Sequence, residues 1–374
     1  MTDREYMLRA IELAKLGSGH TSPNPMVGAV VVKDGNIIAE DYHHRCGEFH
    51  AERNALLKCG EEAKGAVIYV TLEPCCHYGK TPPCTEIIIE KGIKKVIIGS
   101  RDPNPLVAGK GAEILKEHGI EVIEDFMRAE CDEINTVFLH YIKDKQPYTV
   151  MKYAMTLDGK IAAYTGKSKW ITGEEAREYV HKQRASYASI MAGIGTVLAD
   201  DPMLNARFEG AHQPLRVICD SRLRIPEESN ICKTAEQYKT IVACAMNADE
   251  FEISEKRKRL SELGIEVWNL PAADENGHLG VDLKALKTRL GAQGIDSIYI
   301  EGGGTLNFAA LKAGIVDHVC AFIAPKLFGG KDAKTPVEGL GVSSPDEAFM
   351  LKNMKLNRLG EDLMLEYDVE HKDI

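Results

Sequence analysis

The sequence predicts an α/β protein of two consecutive domains, each a sheet with helices packed on it. Three observations predict it. Segments with helical apolar spacing alternate with short strand-like runs through both halves. At 374 residues the chain is long enough for two cores of ordinary size. A helical pattern ending "YIKDKQ" is broken by Pro147, after which "PYTVMKYA" starts as an extended stretch. The boundary falls near Lys145, giving domains 1–145 and 146–374.

In the first half, "DREYMLRAIELAKLG" spaces Tyr6, Leu8, Ile11, Leu13 and Leu16 as a helix that Gly17 stops. "MVGAVVVKDGNIIAEDY" reads as two strands joined at Asp34-Gly35, a pair that accepts the left-handed backbone of a tight hairpin. "HAERNALLKCG" is a helix ended by Gly60, and "GAVIYVTL" a buried strand. "CTEIIIEKG" is a short helix ended by Gly92, followed by the strand "KKVIIGS". "GAEILKEHG" is a helix leading into "IEVI", and one helix spans "ECDEINTVFLHYIKDKQ". Strands separated by helices imply a sheet covered on both faces.

The second half has strand patterns at "ASIMAG", "LRVICDS", "TIVACA", "IEVWNL" and "DSIYIEGGG". Helical patterns between them include "EEAREYVHKQR" and "VDLKALKTRLG". It closes with "VDHVCAFIAPKLFGG" and "MKLNRLGEDLMLEYDV", the latter a hairpin around Gly360-Glu361. The two halves do not resemble each other.

The net charge of −10 works against non-specific binding to a polynucleotide backbone, which needs a positive footprint. No apolar run reaches membrane-spanning length, and the charged amino terminus lacks the apolar core of a signal peptide. The expected compartment is the cytoplasm. In that reducing setting Cys59, Cys131, Cys219, Cys232, Cys244 and Cys320 read as buried thiols.

The stretch "LEPCCHYGKTPPCTEI", residues 72–87, is different. Upstream, "FHAERNALL" sets His50 and Glu52 at the start of a helix. His50, Cys75 and Cys84 would give zinc three protein ligands and leave its fourth position open, as catalytic sites do. H-A-E followed by P-C and a later cysteine is the pattern of zinc deaminases, in which the glutamate moves protons without binding the metal. Here nine positions separate the cysteines rather than the usual three, so a loop must join them. Cys76 follows Cys75 directly and points elsewhere if Cys75 faces the metal. Closure of the site by Cys76 or His77 would instead make zinc structural and leave Glu52 without a task. A nucleic-acid deaminase and a zinc-stabilised interaction protein without turnover stand as the other readings of this pattern.

"TSPNPMVGAVVVKDG", "HAERNAL" and "TLEPCCHYGKTPPCTEIII" closely resemble the deaminase half of the bifunctional riboflavin-biosynthesis deaminase/reductases. "MKYAMTLDGKIA", "SKWITG", "MAGIGTVLADDPMLNAR" and "YIEGGGTLN" resemble the reductase half. The resemblance implies a cytidine-deaminase-like three-layer domain followed by a dihydrofolate-reductase-like domain, with Zn2+ and NADPH as cofactors. It implies a small-molecule substrate, a phosphoribosylated diaminopyrimidinone, deaminated first and then reduced from ribosyl to ribityl. It implies association of copies through the reductase domain, and no nucleic-acid or membrane partner.

The resemblance also assigns residues. Asn24 suits the pyrimidine edge, because an amide both donates and accepts. His77, Lys80 and Asn104 are expected at the phosphate-bearing end of the deaminase substrate. "YIEGGGTLN" turns from strand to helix through three glycines, a geometry that exposes backbone N–H groups to an anion, although G-x-G-x-x-G is absent. Ala154, Trp170, Thr196, Asp200, Ser221 and the stretch Gly302, Gly303, Gly304, Thr305, Leu306 and Asn307 are expected at the dinucleotide. Ser168, Arg184, Leu204, Arg207 and Glu301 are expected at the reductase substrate, with the two arginines suited to phosphate. Lys152 is expected to orient or protonate the sugar. Charge alone suggests that Arg222 and Arg224 meet the 2′-phosphate of NADPH.

Overall fold

The computed structural model describes residues 1–245, 251–275 and 278–371. The chain divides into two compact units, Met1–Lys145 and Gln146–Ile374.

The first unit runs α1 (Asp3–Lys15), β1 (Gly28–Lys33), β2 (Asn36–Tyr42), α2 (Ala51–Cys59), β3 (Val67–Leu72), α3 (Cys84–Glu90), β4 (Lys95–Ser100), α4 (Lys110–Glu117), β5 (Glu121–Ile123), α5 (Arg128–Ile134) and α6 (Thr136–Asp144). Its sheet has the order β2-β1-β3-β4-β5. β1 is antiparallel to both neighbours, while β3, β4 and β5 are parallel, joined by helical crossovers.

Successive strand residues face opposite ways, so one strand feeds two cores. Ala29, Val31, Ile68 and Val70 pack with Ala55 and Leu56 of α2, Ile88 of α3 and Leu115 of α4. Val30, Val32, Tyr69 and Ile97 pack with Met7 and Ala10 of α1 and Cys131 of α5. The result is a helix–sheet–helix sandwich.

The sequence pattern suggests one helix over 130–146, and the structure breaks it at Asn135. The Asn135 side chain explains the break. Its Oδ1 accepts from the Met26 N–H at 2.8 Å, and its Nδ2 donates to the Met26 carbonyl at 2.9 Å. A side chain committed to distant backbone holds its own residue out of helical geometry.

The second unit runs β6 (Tyr148–Thr156), α7 (Glu174–Ser186), β7 (Ser189–Gly193), α8 (Ile194–Asp200), β8 (Leu215–Cys219), α9 (Asn230–Lys233), β9 (Thr240–Cys244), α10 (Phe251–Glu262), β10 (Ile265–Asn269), β11 (Ala272–Glu275), β12 (His278–Val281), α11 (Leu283–Ala292), β13 (Ser297–Ile300), α12 (Gly304–Lys312), β14 (His318–Ala324), β15 (Leu351–Leu359) and β16 (Asp362–Val369). A nine-stranded sheet has the order β10-β9-β8-β7-β13-β6-β14-β16-β15. It is parallel from β10 to β14 and antiparallel at β16 and β15. β11 and β12 pair separately.

Leu286 and Leu290 of α11 and Ala310 of α12 cover one face of this sheet. Val197 of α8, Ile231 of α9 and Leu260 of α10 cover the other, joined by Val180 of α7. Parallel strands end at one edge, so Gly193, Cys219, Ile300 and Ala324 share it, and ligands of such sheets bind there.

Candidate active sites

A set of side chains able to hold a metal ion is assembled from three element ends. His50 is the N-cap of α2, Cys84 opens α3, and Cys75 lies just beyond β3. Their ligand atoms all lie within 4.8 Å of one another. His50 Nδ1 is 3.4 Å from Cys75 Sγ and 3.5 Å from Cys84 Sγ. A tetrahedral zinc with usual bond lengths sets a nitrogen–sulfur edge of about 3.6 Å, so the three side chains fit that ion. The Cys84 backbone N–H donates to Cys75 Sγ at 3.3 Å. With the Cys84 thiol and the His50 ring, it holds the Cys75 thiol well below its ordinary pKa, which favours the thiolate a metal needs. Cys76 points away, its Sγ donating to the Leu106 carbonyl at 3.6 Å, and burial raises its pKa.

Glu52 sits on the first turn of α2 and is 3% exposed. Burial lifts its carboxyl to about 7, although the nearby His50 opposes the shift. Its Oε2 is buried and has no hydrogen-bond partner among the described residues. A carboxyl poised near neutrality, with one oxygen uncommitted beside two thiols and an imidazole, can both accept and return a proton.

Glu73 fixes the segment that delivers Cys75, and the sequence reading missed it. This buried carboxylate accepts four backbone N–H groups: Gly109 at 3.0 Å, Gly111 at 3.1 Å, Ala112 at 3.3 Å and Asp102 at 3.4 Å. Three of them belong to the start of α4, where a negative charge is favoured. Gly111 permits the approach, because a Cβ there would lie 2.2 Å from the Pro74 carbonyl oxygen.

Asn24 lies beside the metal set through His43, a second residue that sequence reading missed. Asn24 Nδ2 and His43 Nε2 are 3.2 Å apart, and His43 Nδ1 is 3.0 Å from the Phe49 carbonyl. The His43 and His50 rings meet edge-on at 5.1 Å. The available signal was alternation: Asp41 and His43 are both buried, two apart at the end of β2. His77 is half-buried, and its Nδ1 has no hydrogen-bond partner among the described residues, while Lys80 is exposed with its Nζ against Gly47. Asn104 Oδ1 accepts from the Leu106 N–H at 3.1 Å, so half of its amide shapes its own turn.

In the second unit, Gly193 N–H donates to the Gly302 carbonyl at 2.8 Å, which joins the two glycine-bearing strand ends. Thr196 Oγ1 lies 3.5 Å from where a Cβ of Gly303 would be. Gly304 opens α12, and a Cβ there would meet the Thr335 carbonyl oxygen at 2.5 Å. Thr305 is exposed, whereas the Leu306 and Asn307 side chains are buried, so backbone N–H groups are what this stretch presents. Asn307 Nδ2 donates to the Pro336 carbonyl at 2.7 Å. Ser168 Oγ donates to Asp200 Oδ1 at 2.7 Å. Trp170 is exposed, with Arg177 stacked 4.8 Å from its ring. Ala154 is half-buried on β6 opposite Phe322.

Cys219 pairs with Gly193, so Ser221 stands just past the glycine edge. Beyond it Leu223 and Ile225 turn into the core while Arg222 and Arg224 face out. Arg224 leans towards Asp220 at 3.9 Å.

Arg184 is closed on Glu301: Nε to Oε1 at 2.6 Å, Nη2 to Oε2 at 2.7 Å, and Nη1 to the Asn205 carbonyl at 3.1 Å. Burial opposes charge on Glu301, but Arg184 outweighs it and holds the carboxyl down at about 2. Arg207 is exposed and its Nε donates to Asn205 Oδ1 at 3.2 Å. The Leu204 side chain is packed in the core. Lys152 stands on β6 one position past the Met151–Ile300 pair, which sets it beside Glu301, and burial lowers its pKa.

Residues 1–100 match the family described as the cytidine and deoxycytidylate deaminase zinc-binding region, and residues 147–365 match the RibD C-terminal domain. The chain is 52% identical to riboflavin biosynthesis protein RibD of Actinobacillus pleuropneumoniae, over 99% of this chain and 96% of that one. It is also similar to the solved structure of Acinetobacter baumannii RibD, with TM-score 0.86 and 38% identity over 99% of each chain. A third similar protein is the Thermotoga maritima diaminohydroxyphosphoribosylaminopyrimidine deaminase/5-amino-6-(5-phosphoribosylamino)uracil reductase, with TM-score 0.83 and 38% identity over 98% of each chain.

Proposed function

This chain belongs to the RibD family of bifunctional riboflavin-biosynthesis enzymes, and from that premise we propose how its residues divide two consecutive reactions. A zinc-dependent deaminase unit precedes an NADPH-dependent unit of dihydrofolate-reductase-like fold. The first removes an amino group hydrolytically from 2,5-diamino-6-ribosylamino-4(3H)-pyrimidinone 5′-phosphate. The second reduces the ribosyl chain to ribityl.

In the first reaction His50, Cys75 and Cys84 hold the metal. When bound, zinc supplies the Lewis acidity that brings a water towards deprotonation at neutral pH. Glu52 accepts that proton and passes it to the ring nitrogen, then carries the second proton of the added water to the departing amine, leaving the oxo product and ammonia. Asn24, held by His43, orients the pyrimidine edge, while His77, Lys80 and Asn104 border the phosphate-bearing end.

In the second reaction the glycine edge at Gly193 and Gly302–Gly304, with Thr196, Asp200, Ser221, Ala154 and Trp170, seats the dinucleotide. When bound, NADPH supplies the hydride for C1 of the open ribose. Lys152 and Ser168 face the sugar, and burial lowers the Lys152 pKa while the Glu301 carboxylate beside it opposes that shift. Arg222 is the freer of the two outward arginines for the 2′-phosphate.

Copies of the chain associate through the reductase unit. The edge strand β15 supports this, with eight of nine residues exposed and Leu351, Met354 and Leu356 among them. The compartment is the cytoplasm. Among the described residues no helix is long and apolar enough to cross a membrane.

The observation that carries this reading is the three-ligand set with the uncommitted Glu52 oxygen beside it. Incubation with the phosphoribosyl substrate and NADPH should release ammonia and then oxidise NADPH. Ammonia without NADPH oxidation would leave only the first reaction standing.

A further inference from the structure

Two long connections leave the glycine-bearing edge of the second unit side by side. β6 and β14 are parallel and paired to their ends, with Thr156 opposite Ala324. The segments that follow, 157–173 and 325–336, therefore start as neighbours. The first carries Ser168 and Trp170. Leu157, Tyr164, Trp170, Leu327 and Phe328 are all exposed, so apolar packing does little to hold either segment. Segments with so little buried apolar surface keep one shape through polar ties.

The ties are two charged clamps of opposite sign. Asp158 reaches from the first segment to the second, where its carboxylate accepts the Phe328 N–H at 3.1 Å and the Gly329 N–H at 2.6 Å. Gly329 has a φ of 63°, so the turn that presents these N–H groups suits glycine. Lys326 reaches the other way, and its Nζ donates to the Trp170 carbonyl at 3.0 Å and to the Ile171 carbonyl. The Leu157 N–H donates to the Lys326 carbonyl at 2.9 Å, which fixes the root of that side chain. The Trp170 ring is 62% exposed, with Arg177 at 4.8 Å from its centre. Burial does not set where the indole stands, so the hold on its backbone does.

We propose that Lys326 is a positioning residue of the reductase reaction: by holding the Trp170 and Ile171 backbone, it sets the indole where the dinucleotide meets it. This rests on the reading that Trp170 lies at NADPH. The ammonium acts through the Trp170 backbone and supplies no group to hydride transfer. An indole fixed in advance binds without further loss of loop freedom, so the clamp favours the NADPH-bound chain. Two residues earlier, Ser168 has its own tie, donating to Asp200 Oδ1 at 2.7 Å. Releasing Lys326 therefore loosens the Trp170 end first and weakens the cofactor more than it slows turnover.

The test uses the full zinc-loaded chain with Trp268→Phe as parent, because the sequence has two tryptophans and this leaves Trp170 alone. Energy transfer from the indole to NADPH gives Kd, and the already deaminated substrate gives KM and kcat. Lys326→Met and Lys326→Ala should raise Kd and KM for NADPH about tenfold and leave kcat within about threefold. In the ligand-free chain both should lower the emission anisotropy of Trp170. Either change added to Trp170→Ala should raise KM for NADPH no further. Thermal melting and ammonia release by the first unit report the folding of each variant. Parental Kd and anisotropy in both Lys326 variants, or a fall in kcat with KM unchanged, overturns the inference and leaves the proposed function intact. A parental KM for NADPH in Trp170→Ala overturns the reading of Trp170, and this inference with it.

Discussion

Replacing Glu73 by Gln tests whether the metal set depends on a buried carboxylate that never touches the metal. Glu73 accepts four backbone N–H groups, and the pairs divide by oxygen: Gly111 and Ala112 on Oε1, Gly109 and Asp102 on Oε2. An amide keeps one acceptor oxygen and turns an NH2 towards the other pair. Two hydrogen bonds to a charged acceptor are lost, each worth about 1.5–3 kcal/mol, and two donors face a donor. Each pair contains one of the two longer bonds, at 3.3 and 3.4 Å, which sets the expected loss towards the weaker end, about 3–4 kcal/mol. The loss falls on the segment two residues before Cys75. Urea unfolding of the first unit's signal should shift by that amount, and zinc should pass to a chelator faster than from wild type. A shift below about 1 kcal/mol with unchanged zinc release would refute the reasoning.

Glu52→Gln should retain zinc while deamination falls by about 10²–10⁴-fold. NADPH oxidation with the already deaminated substrate should persist, and loss of zinc or of both activities contradicts the assigned role. Gly304→Ala puts a methyl 2.5 Å from the Thr335 carbonyl oxygen, so the second unit should lose about 1–3 kcal/mol by denaturant titration and bind NADPH more weakly. Asp102 is buried, and burial lifts its carboxyl to about 6 from 3.8. The folded chain then holds a proton that the unfolded chain releases between those values. Its stabilising contribution is present at lower pH and is lost as the pH rises through the window, by up to about 3 kcal/mol. Asp102→Asn keeps an acceptor for the Asn104 N–H and removes the titration. The stability of this variant relative to wild type should therefore climb between about pH 4 and 7, and a flat difference would be the contrary result.

The alternation of strands and helices was legible because apolar period separates the two, and the "VVV" and "VII" runs between glycines leave little choice. The grouping of His50, Cys75 and Cys84 was legible because imidazole and thiol side chains are rare residue types set here in a recognisable order. Glu73 was not, because its partners are backbone amides some thirty to forty residues downstream, and backbone carries no sequence signal. The break at Asn135 was hidden for the same reason, since its partner is the backbone of Met26. For Arg184 the sequence showed only a guanidinium suited to phosphate. Its charge was visible, but its closure on Glu301 depends on β13 ending beside α7. The short α8 and α9 and the β11–β12 pair have too few residues for any period to declare itself.

The central claim is that one imidazole and two thiolates hold a zinc with a place left for water. X-ray absorption at the zinc edge of the loaded full-length chain tests it most directly. The account predicts two sulfur neighbours, one imidazole and one further oxygen. Three sulfurs, or two imidazoles with two sulfurs, would mean that Cys76 or a second histidine closes the site, and the deaminase mechanism would fall.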